Sequence, residues 1–423
     1  MHITPNADSS SADAVTRSSP ALANDALPAP AAWGNVVLAS LLMLATLPGR
    51  TQGLGLITEP MLQDLRLDRV DYAALNLWAT LLGAVVCLPA GWLMDRWGLR
   101  WMASAVSVVL AAVVWRMSAV AGAGGGMFVL LLLTRGLGQS ALSVASITTV
   151  GKSFGARSGW PMGVYSVLLS VLFAVAFVVV GAGVRSQGWR TTWAQVALGV
   201  LVIAVLVAAF LREPPRPAEV ARSATPGISL AMALRTSTFW VFAGATALFG
   251  LVASGLGLFN EAVLAERGFP QETFHIFLAV TTLCALVGQM LCGWLSLRHP
   301  MPRLLAVAMF LYAAGLAALP MIRTSPQLWL FAVPFGVAAG FITVIFFAVW
   351  GQAFGRRHLG RIQGAAQMLT VLASALGPLL FAWSHRATGS YAPLLQALAP
   401  LVFALGLAAW WTRMSSPGST PRE

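Results

Sequence analysis

Twelve apolar stretches of about twenty residues, separated by short polar turns, constrain this chain more than anything else in it. A bilayer's hydrocarbon core takes roughly 20 apolar residues of helix to cross. Inside it, only helices and closed barrels satisfy every backbone hydrogen bond. The stretches cover 35–59, 71–91, 101–120, 126–150, 161–184 and 191–211, then 239–261, 273–295, 302–322, 327–350, 362–384 and 391–412. Only 9% of the 423 residues are charged and 58% are hydrophobic, against about 25% charged in soluble domains. The chain is therefore expected to be an all-α membrane protein with twelve transmembrane helices, numbered below as spans 1 to 12.

The formal charge of +12 does not indicate nucleic-acid binding, because the basic residues are scattered between apolar runs. Twenty-five are Arg and one is Lys152. With both termini in the cytoplasm, 16 of them fall in the tails and even-numbered loops, 7 fall outside, and Arg50, Arg116 and Arg135 lie within spans. This is the positive-inside bias, so both ends are expected to be cytoplasmic, in a bacterial inner membrane. Residues 1–32 are rich in Ala, Ser, Pro and Asp and lack the apolar core of a cleavable signal; they read as a disordered tail. Cys87, Cys284 and Cys292 all lie within apolar runs, which implies neither a disulfide framework nor a metal site.

The six spans before the polar, Pro-rich linker at 212–238 repeat as the six after it. GLGLITEPML from Gly53 matches GLGLFNEAVL from Gly255, offset by 202. Gly91-Trp92-Leu93 matches Gly293-Trp294-Leu295 at the same offset, and GKSFGAR from Gly151 matches GQAFGRR from Gly351 at 200. Such repeats place the solute site near the midplane, between the halves. The expected divisions are a tail at 1–32, bundles at 33–211 and 239–412, the linker between them, and a C-terminal tail at 413–423.

The loop after span 2 reads Gly91-Trp-Leu-Met-Asp95-Arg96-Trp-Gly98-Leu-Arg100. It resembles the signature of the major facilitator superfamily, Gly-x-Leu-x-Asp-Arg-x-Gly-Arg-Arg/Lys, with Leu99 where a basic residue is usual. The resemblance covers roughly 33–412 and implies the major facilitator fold, two pseudo-symmetric six-helix bundles that rock around a central site. It also implies that Gly91, Asp95, Arg96, Gly98 and Arg100 form a cytoplasmic gate, with Asp95 as its latch. A carboxylate at this place can meet a helix N-terminus or an Arg. The second copy, GWLSLRHP, has Leu297 in the position of Asp95, so the latch is expected to be asymmetric. The Pro-containing span 5 element of the family's antiporters is missing, and the loop FGRRHLGRIQG resembles that of monocarboxylate, oxalate–formate and nitrate carriers.

Arg50 falls about 3 Å from the midpoint of span 1 at 1.5 Å per residue. It follows Pro48-Gly49, a helix-breaking pair, and its repeat counterpart is Val252. An Arg at that depth costs at least about 2.5–3.5 kcal/mol unless it faces protein or water. Its planar fork suits a carboxylate or similar oxyanion. Arg135, in span 4, reads as a helix-to-helix link or a second solute contact. Tyr165, Asn260, Gln289 and Gln367 are further candidates for lining the site. Glu59 and Glu261 hold equivalent outer positions, and they are the candidate proton carriers because no acid lies nearer the midplane. A phosphate-binding loop, a zinc-protease helix and a nucleophile elbow are all missing, so no enzyme and no cofactor are expected. The expectation is a secondary carrier, monomeric, whose partners are lipid and a small anionic solute. The alternatives are an exporter of drugs or neutral metabolites and a non-transporting sensor.

Overall fold

Eleven helices among the described residues are long and apolar enough to cross a membrane, and a further crossing, span 1, is made in two pieces. The computed structural model describes residues 29–120, 122, 125–213 and 228–414. Span 1 comprises α1 (Ala29–Leu44), a 3-10 turn at Leu47–Gly49, and α2 (Thr51–Leu65). Pro48 lacks an N–H and Gly49 tolerates close backbone approach. Sequence periodicity gave one helix over 35–59; the structure instead breaks it, with Arg50 in an extended conformation at φ −92° and ψ 150°.

Span 2 combines α3 (Arg69–Val85) with α4 (Cys87–Trp97), and span 3 is α5 (Leu99–Ser118). Span 4 is α6 (Gly125–Thr134) and α7 (Ser143–Phe154), joined by a π-helical segment at Arg135–Leu142. Spans 5 and 6 are α8 (Gly159–Gln187) and α9 (Trp189–Phe210). After a short α10 (Leu230–Ala233) come spans 7 to 12: α11 (Ser237–Ala265), α12 (Gln271–Leu295), α13 (Met301–Ala318), α14 (Ser325–Phe354), α15 (Leu359–Thr388) and α16 (Ala392–Trp411). Several overrun the apolar stretches because polar caps add turns. Thr324 and Gln327 form a capping box on α14, and the Thr236 hydroxyl accepts the Phe239 N–H at 3.2 Å on α11.

The expected tail is shorter than 1–32, since residues 29–32 already belong to α1. Residues 1–28, 214–227 and 415–423 lie outside the described residues, and with them most of the expected linker and tails.

The two bundles repeat the same packing. Span 1 packs on 5, 2 on 4 and 3 on 6 in the first; span 7 packs on 11, 8 on 10 and 9 on 12 in the second. Between bundles, spans 2 and 4 meet span 11, while span 5 meets spans 8 and 10. Glycines make both seams. A Cβ on Gly91 would strike the Gly360 carbonyl, and one on Gly364 would strike that of Cys87. At the other seam, a Cβ on Gly163 would come within 3.1 Å of the Gly293 Cα. Since 91 maps to 293 by the repeat offset of 202, the two contacts are pseudo-symmetric images. Both lie at the end of the molecule that carries the linker.

Candidate functional site

The break in span 1 places a cation in the middle of the protein. Arg50 turns back toward α1, where its Nε donates to Thr46 Oγ1 at 2.7 Å. Its Nη2 lies 2.8 Å from Met43 Sδ and 3.2 Å from Ser143 Oγ on α7. The guanidinium carbon stands 5.3 Å from the ring centroid of Phe173 on α8, a cation–π contact. All four partners are uncharged. Among the described residues Arg50 has no ion pair, so its positive charge stays uncompensated.

Arg135 is differently placed. It is 1% exposed. Its Nε and Nη2 donate to Asn76 Oδ1 on α3 at 3.1 and 2.7 Å. Its Nη1 reaches the Gly49 carbonyl at 3.0 Å, Thr51 Oγ1 at 3.1 Å and Gln139 Oε1 at 2.9 Å. The Gly49 carbonyl is released by the helix break. Its neighbour across the crossing is Gly138, which itself lies in the π-helical segment; a Cβ on Gly49 would come within 3.0 Å of the Gly138 Cα. Arg135 therefore ties spans 1, 2 and 4 together and has little donor capacity left for a solute.

Tyr165 is fully buried and shares a 2.5 Å hydrogen bond with Ser146 Oγ. Its ring meets that of Phe347 edge-on across the two halves, with centroids 5.4 Å apart. In the second half, Gln289 and Gln367 are 7% and 8% exposed. Their Oε1 atoms, and Asn260 Oδ1, are buried without a protein partner among the described residues. Gln363 Nε2, one turn before Gln367, shares that condition. A buried, unpaired polar atom costs about 1–3 kcal/mol, so each of these amides has capacity to bind something else. Glu59 and Glu261 are both exposed. Glu59 accepts from Gln63 Nε2 at 3.1 Å and stands nine residues along α2 from Arg50, about 13 Å at helical rise.

At the linker end, Asp95 joins the halves. Its carboxylate, 3% exposed, lies 2.8 Å from Lys152 Nζ in its own half. From the other half it receives the N–H groups of Gly360 at 3.2 Å and Arg361 at 3.1 Å. These are the first-turn amides of α15, so the carboxylate also meets the positive end of that helix. The Arg361 side chain approaches to 3.9 Å. Beside this cluster, burial holds His358 below the ordinary histidine range. Asp95 opposes the shift; Arg361, Arg357 and Lys152 add to it.

Of the five residues expected at the gate, Gly91 and Asp95 touch the second half. The other three serve the first. Arg96 lies over the Trp92 ring, 5.1 Å from its centroid. The Arg100 N–H donates to Glu213 Oε1 at 2.9 Å and its Nε to the Ala208 carbonyl at 2.5 Å, tying span 3 to span 6. Gly98, at φ 96°, lets Glu213 approach.

Sequence reasoning did not assign Lys152 to the latch, although it is the chain's single lysine and sits in the polar repeat pair. Asn76, Thr46, Ser143 and Phe173 carried no signal, because neutral side chains within an apolar helix look alike whether or not they face a charge.

The profile of the Major Facilitator Superfamily matches residues 38–378 and 242–423. Over 381 residues the chain is 26% identical to human monocarboxylate transporter 11, covering 85% of this chain and 78% of that protein. It is 29% identical over 132 residues to rat monocarboxylate transporter 13, a match that spans 31% of each protein. Among solved structures it is similar to a human organic anion transporter, with a TM-score of 0.67 at 18% identity, covering 88% of this chain and 98% of that one. It is equally similar to the E. coli fucose:proton symporter, with a TM-score of 0.67 at 16% identity, covering 92% and 99%. At these identities the structural likeness carries the fold, while the profile covers both halves. The chain belongs to the Major Facilitator Superfamily.

Proposed function

We propose that this protein is a secondary transporter that moves a small anionic solute by alternating access between its two bundles. The observation that carries the reading is Arg50, a guanidinium at mid-span whose contacts are Thr46, Met43, Ser143 and Phe173 and no carboxylate. A cation in a low-dielectric site draws an anion strongly, and its fork pairs with a carboxylate through charge-assisted hydrogen bonds. The unpartnered amides of Asn260, Gln289 and Gln367 are then the second half's contribution to the solute. The monocarboxylate transporters among its relatives, and the organic anion transporter among its structural neighbours, support the same reading.

The linker end, where the seams and the Asp95 cluster meet, is closed. We place it at the cytoplasmic face of a bacterial inner membrane, in keeping with the 16 to 7 distribution of basic residues. The state described is then closed toward the cytoplasm. Uptake into proteoliposomes, measured for monocarboxylates, dicarboxylates, nitrate and neutral sugars, tests the function. Accumulation of an anion supports the proposal; accumulation of the neutral solutes alone overturns it.

A further inference from the structure

The seam between spans 5 and 8 opens outward into a surface groove of about 510 Å³, whose lining includes Trp160, Val167, Leu286, Met290, Leu291 and Trp294. Every one of these side chains is apolar or aromatic. Trp160 and Val167 belong to the first half and the other lining residues to the second, so whatever fills the groove touches both moving bodies.

The linker end of this groove is basic. Gly159, at the start of α8, abuts Ser296 Oγ, and a Cβ on it would come within 3.3 Å of Met301 Cε. Arg157, Arg298 and Arg303 each stand two residues from this three-way contact, and all three are exposed. None has an ion pair among the described residues. The Arg298 guanidinium lies over the Trp294 ring, 4.6 Å from its centroid, so one cation stands on the rim of the apolar groove itself.

The internal repeat gives this arrangement a meaning. By the offset of 202, Arg298 corresponds to Arg96 and Leu297 to Asp95; by the offset of 200, Arg157 corresponds to Arg357. The second seam thus keeps two of the basic residues that flank the first, adds Arg303 where the first half has Trp101, and lacks the acid that joins the first. We propose that an anionic phospholipid of the linker-end leaflet occupies the groove. Its phosphate lies among Arg157, Arg298 and Arg303, and one acyl chain lies between Trp160 and Trp294. Basic pockets between membrane helices suit such headgroups, and the groove supplies the apolar surface that a free anion would not use. Bridging spans 5 and 8, the lipid holds the second seam closed as Asp95 holds the first. This inference stands independently of the charge of the transported solute.

The test is native mass spectrometry of the full chain released from nanodiscs of equimolar phosphatidylglycerol and phosphatidylcholine. The intact protein should retain one phosphatidylglycerol in preference to phosphatidylcholine. With each basic residue worth roughly 1 kcal/mol toward an anionic lipid, replacing all three (Arg157→Gln, Arg298→Gln, Arg303→Gln) should weaken that preference by about a hundredfold. Val167→Trp keeps the charges and fills the groove, and it should lower retention of the lipid as well. In wild type, spin labels flanking the span 5–span 8 seam should move closer when phosphatidylglycerol replaces phosphatidylcholine. Equal retention of the two lipids, or undiminished phosphatidylglycerol retention in Val167→Trp, would overturn the proposal. So would displacement of the lipid by millimolar inorganic phosphate, which would mark a bare anion site.

Discussion

Arg135 Nη1 donates to the carbonyl of Gly49 at 3.0 Å, across 86 residues of sequence. The bond satisfies a carbonyl freed by the break in span 1 and fixes the residue next to Arg50. Because Arg135 also holds Asn76, Thr51 and Gln139, no single-point donor replaces it. Arg135→Lys brings three donors to four acceptors and should leave at least one of them unpaired, at about 1–3 kcal/mol. The melting temperature in detergent should fall by several degrees, with Asn76→Ala showing a smaller drop. An unchanged melting temperature in both would separate the break from this network.

The glycine seams make a steric prediction. Gly91→Ala puts a methyl into the Gly360 carbonyl, whereas a methyl on Gly34 would meet nothing within 4 Å. Gly91→Ala should therefore widen the distance between spin labels on the loops after spans 2 and 10, and Gly34→Ala should not. Identical distances in the two variants would mean that the seam is not tightly closed.

The latch is tested by its asymmetry. Asp95→Asn removes the charge that faces Lys152 and the first turn of α15. Breaking a buried pair in this way costs about 3–5 kcal/mol, so the population open at the linker end should rise at least tenfold. Cys87, buried behind Gly364, should then react faster with a maleimide. Leu297→Asn, at the repeat-related place, should leave that rate unchanged. Equal acceleration by both substitutions would contradict a one-sided latch.

His358 makes the linker end sensitive to pH. In the closed arrangement burial depresses its pKa below the ordinary 6.5. An opened loop returns it toward 6.5 and therefore binds protons that the closed form refuses. The closed form is thus unaffected above about 6.5 and loses ground as pH falls below it. Label distances across the seam should lengthen between pH 7 and pH 5.5 in wild type and much less in His358→Gln. An equal response in both would exclude the histidine.

The fold was largely legible because the bilayer restricts the choices. Apolar stretches of crossing length, an internal repeat and the Asp95 loop led to the observed bundles. The break at Pro48-Gly49 was visible as a kink signal, but its depth was not, since a 3-10 turn and an extended Arg50 depend on the close approach of Gly138. The division of labour between the arginines was not legible either. Arg50 and Arg135 are both single cations in apolar spans, and only the fold shows Asn76 and Gly49 engaging Arg135 while Arg50 meets neutral groups alone. Lys152 was hidden because its partner lies 57 residues away.

The most direct measurement is substrate affinity and uptake in proteoliposomes for Arg50→Lys and Arg50→Gln beside wild type. Arg50→Lys keeps the charge and loses the planar fork. With charge-assisted bonds worth roughly 1.5–3 kcal/mol each, anion affinity should fall about tenfold to a hundredfold. Arg50→Gln should abolish anion uptake while the protein stays folded in the membrane. Wild-type affinity and uptake in Arg50→Gln would contradict the account, because the uncompensated cation at the break of span 1 would then play no part in holding the solute.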